Sequence, residues 1–178
     1  MANPFGVPEH YVADLVGYSA RHELRLLVEV KAGAFWASQD LAAWNEQDWQ
    51  ENFFQELTET WFPDPAKPTA ELATWHNDYY FMLVTPRQIA LWRPGAAPRR
   101  APDIIVDASA VLERQLDVQR FPLSRLDERN LESVVYSWLM FSQFKPKQQL
   151  IDEPAQRWLV DTGLYEAIYH GDIQLQAA

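Results

Sequence analysis

The chain has 178 residues, 48% of them apolar and 22% charged, which suits one folded domain and excludes wholesale disorder. Acidic side chains outnumber basic ones 25 to 15, for a net charge of −10, which argues against gripping nucleic acid by bulk charge. There is no cysteine, so disulfides, thiolate-bound metals and thiol nucleophiles are excluded.

No run approaches the ~18 apolar residues of a membrane span, and Met1 to Gly6 lack the pattern of a signal peptide. A cytoplasmic protein without a membrane partner is therefore expected. The one basic concentration is Arg87, Arg93, Arg99 and Arg100, and its Pro/Gly-rich setting reads as a solvated loop.

Tyr11 to Tyr18 and Leu24 to Lys31 are strand-like, and the polar stretch Ser19 to Glu23 makes them a hairpin. In the second strand Leu24, Leu26, Val28 and Val30 face one way, and Arg25, Leu27, Glu29 and Lys31 the other. Asn45 caps a helix expected to run to Trp61, with Trp49, Phe53, Phe54, Leu57 and Trp61 on its apolar stripe. Pro63 to Pro68 is a loop, and Thr69 to Trp75 a short helix. Tyr79 to Thr85 and Gln88 to Arg93 form a second hairpin. Ile104 to Val106 is an edge strand, and Ala108 to Leu116 a helix. Asp127 to Phe144 is a helix with Asp127 and Glu128 in its first turn, and Leu131, Val134, Val135, Trp138 and Leu139 on its stripe. Asp152 is expected to cap a further helix, with Pro154 in its first turn and Gly163 at its end. Leu164 to His170 adds helical turns, and Asp172 to Leu175 a terminal strand. The order predicts an α/β protein, a mixed β-sheet core flanked by helices.

A turn centred on Arg21 and His22 sets Asp14 opposite Glu29, with Lys31 two residues further on the same face. Opposed carboxylates repel unless a cation lies between them. Two carboxylates and a lysine on one strand face suit phosphodiester hydrolysis with Mg2+ or Mn2+, since carboxylate oxygens bind hard cations and an ammonium can orient water or stabilise phosphoryl charge.

Asp14, followed by Glu29-Val30-Lys31 at the end of an apolar strand, resembles the PD-(D/E)xK nuclease superfamily. Tyr79 to Pro86 and Ile89 to Trp92 are similar to the next hairpin of small restriction-endonuclease-like bacterial proteins. The resemblance spans about 10–107 of a single domain 1–178, with a helical C-terminal part at 108–178. It implies a restriction-endonuclease-like fold and metal-dependent cleavage of DNA. By position, Asp14, Glu29 and Lys31 would be catalytic, and Asp14, Glu29 and the Val30 carbonyl would bind metal. Members of the family often complete the metal site with a glutamate on an N-terminal helix. Here Pro4 and Pro8 oppose such a helix, and only Glu9 and His10 are ionisable in that arm. The missing group is then expected from elsewhere in the chain, from a partner, or not at all. Ala13 also stands where the family usually has proline.

His10, His22, His76 and His170 lack metal-ligand spacing. Gln39 reads as a helix-start residue, with contact to the scissile phosphate as its alternative. Trp49, Trp61 and Trp138 read as core, whereas Trp36 and Trp44 are open to exposure. Besides a nuclease acting on DNA or another nucleic acid, the sequence allows an inactive binding or assembly module of a larger complex, and a homodimer.

Overall fold

The computed structural model of the chain describes residues 13–57, 78–95 and 101–176. It is an α/β fold built on a six-stranded mixed sheet. The strands are β1 (Leu15–Tyr18), β2 (Leu24–Val30), β3 (Tyr80–Val84), β4 (Gln88–Trp92), β5 (Ile104–Asp107) and β6 (Asp172–Leu175). Their order across the sheet is β5-β4-β3-β2-β1-β6. Among the described strands only β2 and β3 pair in parallel, which takes a crossover connection rather than a tight turn.

In the first hairpin, Leu15 pairs with Val28, Val16 with Leu27 and Gly17 with Leu26, the register expected from the sequence. Tyr18 then pairs with Leu24, which leaves Arg25 as an extra residue, a β-bulge. The bulge corrects the expected alternation. Leu24 joins Leu27 on one face, while Leu26, Val28 and Val30 stay on the other. The turn is a five-residue loop closed by the Ser19 amide donating to the Glu23 carbonyl, with His22 left-handed at φ 60°.

Each sheet face carries its own core. On one, Leu26, Val28, Val30, Met82 and Leu91 meet α3 (Ala108–Leu112), α4 (Glu128–Ser142) and the short helices α5 (Lys147–Asp152), α6 (Trp158–Asp161) and α7 (Leu164–Ile168). On the other, Val16, Leu27, Phe81, Leu83 and Trp92 meet Trp49, Phe53, Phe54 and Leu57. Trp36 and Trp44 pack half-buried at the rim of this second core.

The helix after Asn45 begins as expected. Asn45 and Asp48 form a reciprocal capping box, each side chain accepting from the other's amide at 2.9 Å. It is not one regular helix, however. After α2 (Glu46–Trp49) the chain widens into a π-helical turn, Gln50–Phe54, before resuming at 55–57. In an unbroken α-helix Glu56, seven residues after Trp49, would lie on the buried stripe. The wider turn rotates it off, and its side chain is exposed. The expected Trp61 end, the 63–68 loop and the 69–75 helix lie outside the described residues, as do His10, His76, Arg99 and Arg100.

In the C-terminal part the expected helix start at Asp152 is corrected. Asp152 ends α5, which the sequence reading missed. Pro154 lies in the turn that follows, and α6 starts only at Trp158. Proline lacks the amide a continuing helix needs, which separates these elements. Gly163 ends α6 as expected, at φ 83°. The terminal strand expected at Asp172–Leu175 forms as β6, which lies beside β1 in the sheet. Gln39 ends α1 (Ala34–Ser38), which corrects its reading as a helix start.

Trp138 fastens α4 to its neighbours. Its ring is buried, and its Nε1 donates to Gln156 Oε1 at 2.9 Å. Gln156 Nε2 in turn donates to the Val111 carbonyl at 2.8 Å. Trp138→Ala is expected to cost about 3–5 kcal/mol, because it leaves both a cavity and an unpaired amide. Urea unfolding of the variant checks the value. A loss below ~1 kcal/mol would mean the three elements do not depend on this ring.

Among the described residues, no helix is long and apolar enough to cross a membrane.

Candidate metal centre

The chemistry gathers at one end of the sheet. β1 begins there and β2 ends there, so Asp14, Glu29 and Lys31 emerge together. Asp14 turns its carboxylate along the strand ends, where Oδ2 accepts from the Val30 amide at 2.7 Å. Its own amide donates to the Val28 carbonyl, and its carbonyl accepts from Gln176 just past β6. Asp14 is thus held by both neighbouring strands. Val30 is buried, and its amide rather than its carbonyl is the group that meets Asp14.

Glu29 is buried at 7% exposure and shares a hydrogen bond with Asp14. Lys31 Nζ lies 3.9 Å from Glu29 Oε2 and 3.3 Å from Glu56 Oε1. The three residues singled out in the sequence therefore do come together.

Two further carboxylates come from the other core. Asp127 caps α4 by accepting from the Asn130 amide, and Glu128 and Glu132 follow one turn apart. Their carboxylates approach Asp14, and one oxygen from each of the three lies within 4.8 Å of the others. A shared Mg2+ or Ca2+ at ~2.0–2.6 Å from each ligand needs oxygens no farther apart than about 4–5 Å. The donor set is all oxygen, as such ions require. Asp14, Glu128 and Glu132 therefore fit a hard divalent cation.

Sequence reasoning missed Glu132 altogether and read Glu128 only as a helix-start acid. The available signal was two acids four residues apart, beside the apolar stripe of Leu131, Val135 and Trp138.

The electrostatics follow from this crowding. Burial raises the Asp14 pKa above the usual value, though the Val30 amide, Lys31, Glu132 and Glu29 pull the other way. Burial and then Asp14 raise Glu128. Burial and the charges of Asp14 and Glu128 push Glu132 up to about 7. For Lys31, burial disfavours the ammonium, but Glu29 and Glu56 outweigh it and the pKa ends raised.

A pH dependence follows for the metal-free protein. The Glu132 carboxyl titrates at about 7 when folded, against an ordinary value of 4.5. Its contribution to stability is present below the ordinary value and is lost as pH rises through about 7. Metal-free wild type is expected to melt lower at pH 8 than at pH 6, and Glu132→Gln to flatten that difference. Thermal melts across this range decide it, and equal slopes for the two proteins would exclude Glu132 as the source.

The class defined so far is an α/β protein with a mixed sheet and a carboxylate–lysine cluster at one sheet end. No family model, curated protein or solved structure matches the chain.

Proposed function

We propose that the protein is a metal-dependent phosphodiesterase of the PD-(D/E)xK type, with a restriction-endonuclease-like fold and nucleic acid as substrate. The observation that carries this reading is the convergence of Asp14, Glu128 and Glu132 beside Glu29 and Lys31. The helix glutamate that the resemblance places at the N-terminus comes instead from α4, late in the chain.

Asp14, Glu128 and Glu132 would hold Mg2+ or Mn2+, with Glu29 beside them. When bound, the ion would polarise the phosphate and make a water more acidic. Asp14 is oriented by the Val30 amide, so its lone pairs are set before any ligand arrives. Lys31 holds its proton between Glu29 and Glu56, which suits it to stabilising phosphoryl charge or orienting water and disfavours a role as general base. The net charge of −10 leaves long-range attraction of nucleic acid weak, so close contacts must hold the substrate.

The test is cleavage of single- and double-stranded DNA and RNA by pure protein with Mg2+ or Mn2+. Wild type is expected to cut in metal and not in chelator. Lys31→Ala is expected to lose about 10²–10³ in rate while still binding metal. Absence of cleavage on all four substrates would sink the enzymatic reading. The same charge of −10 favours, as a second reading, an inactive assembly module within a larger complex. That module would bind no Mg2+ at millimolar concentration.

A further inference from the structure

We infer that Phe35, braced by Trp36, is a stacking platform for an unpaired nucleobase, which makes single-stranded nucleic acid the substrate of the carboxylate–lysine site. The inference rests on the phosphodiesterase reading and narrows its substrate.

Phe35 is a large apolar side chain left 49% exposed on α1. It follows Lys31 by four residues, so the two Cα atoms are at most about 14 Å apart. Gly33 makes the turn between them at φ 97°, and a Cβ there would meet nothing within 4 Å among the described residues. Among those residues, the backbone between lysine and ring is thus open on that side.

The ring is not a loose surface side chain. It meets Trp36 nearly at right angles, 87°, with centroids 5.2 Å apart. Trp36 in turn meets Trp44 at 5.9 Å and Phe53 at 6.2 Å, and Phe53 is fully buried. The exposed ring therefore ends a chain of rings rooted in the core. A base stacking on it would cost little further ordering, which is what makes a pre-set aromatic an effective contact.

Cations bracket the same segment. Lys31 precedes α1. Arg87, half-exposed, reaches its far end, where Nη1 donates to the Ser38 carbonyl at 3.4 Å and Nη2 lies 3.8 Å from Asp40. An aromatic on a segment that starts just after Lys31 and ends at Arg87 suits a strand that offers base faces and phosphates together. A duplex hides its base faces within the stack and is held largely through phosphates, for which a chain of net charge −10 is poorly equipped. The described surface at this end thus favours the unpaired strand.

The experiment is fluorescence anisotropy of a labelled 12-nucleotide single strand and its duplex, titrated with the full chain in millimolar Ca2+. Wild type is expected to bind the single strand at least tenfold more tightly than the duplex. Phe35→Ala should weaken the single strand about 10- to 100-fold, and Phe35→Trp should retain binding. Unchanged binding by Phe35→Ala, a preference for duplex, or no binding of either would overturn the platform. Calorimetric Mg2+ titration of the same preparations separates the two levels. Metal binding that is lost in Asp14→Asn, without a Phe35 effect, overturns the platform alone, whereas absence of metal binding overturns the underlying reading and the platform with it.

Discussion

Asp14→Asn is expected to abolish divalent-metal binding and, on the proposed phosphodiesterase reading, to lower metal-dependent cleavage by about two to three orders of magnitude. Asp14 joins several parts of the cluster. Asp14 belongs to the triad with Glu128 and Glu132, shares a hydrogen bond with Glu29, and accepts from the Val30 amide. Asparagine keeps an oxygen for that amide, so the strand ends stay joined. It removes the charge that a hard cation requires. It also removes one of several clustered negative charges that repel in the metal-free protein, so the variant is expected to melt no lower than wild type at pH 8. Calorimetry with Mg2+, a cleavage assay and a thermal melt together decide the matter. Undiminished metal binding would take Asp14 out of the site. A collapse of the melting temperature would make its role structural.

That stability and activity should separate here reflects how the site is built. The strands and helices that carry the acids are fixed by apolar packing on both sheet faces, and the crowding of Asp14, Glu128 and Glu132 adds mutual repulsion until a cation is present. A trade of this kind is expected of the candidate site, in which local strain is carried by surroundings that are stable without it. The β1–β2 register and the apolar stripe of α4 do the holding.

Those same two features were the legible ones. Alternation along β2 and a short polar turn are local, and they set Asp14 beside Glu29 and Lys31. The stripe on α4 is local too. The phase of Leu24 was not legible, because the bulge at Arg25 depends on how a five-residue loop closes. The π-helical turn at Gln50–Phe54 leaves Trp49, Phe53 and Leu57 at spacings an ordinary helix also allows, so only the rotation of Glu56 reveals it. Glu128 and Glu132 lie on the flank of a surface helix, where acids need no special reason. Their approach to Asp14 exists only once β6 is paired against β1 and α4 packs over β2. That is a long-range arrangement with no signature in any one window of sequence. The parallel pairing of β2 with β3 is of the same kind.

Among the described glycines, the largest structural effect expected of a single methyl group is at Gly171. A Cβ added there would lie 1.8 Å from the Tyr18 carbonyl oxygen, 2.8 Å from its carbon and 3.0 Å from the Ile168 carbonyl oxygen. All three atoms are backbone, so no rotamer change relieves the contact. Gly171 joins α7 to β6, and its own amide donates to the Ile168 carbonyl at 2.9 Å. Tyr18 is the residue of β1 that pairs with Asp172 at the start of β6. Gly171→Ala must therefore push β6 away from β1. A cost of at least about 4 kcal/mol is expected, a large share of the ~5–15 kcal/mol that holds a domain together. The damage should reach the candidate site, because Gln176, just past β6, donates to the Asp14 carbonyl at 3.0 Å. Where the variant still folds, Mg2+ affinity should fall although no ligand has changed. Gly95→Ala is the control. Gly95 has φ 86°, and a Cβ there meets nothing within 4 Å among the described residues, so alanine there is expected to cost the backbone penalty of about 1–2 kcal/mol. Urea unfolding of the two variants separates crowding from conformation. If Gly171→Ala costs no more than Gly95→Ala, then β6 is not tightly seated on β1, and the support given to Asp14 from that side falls with it.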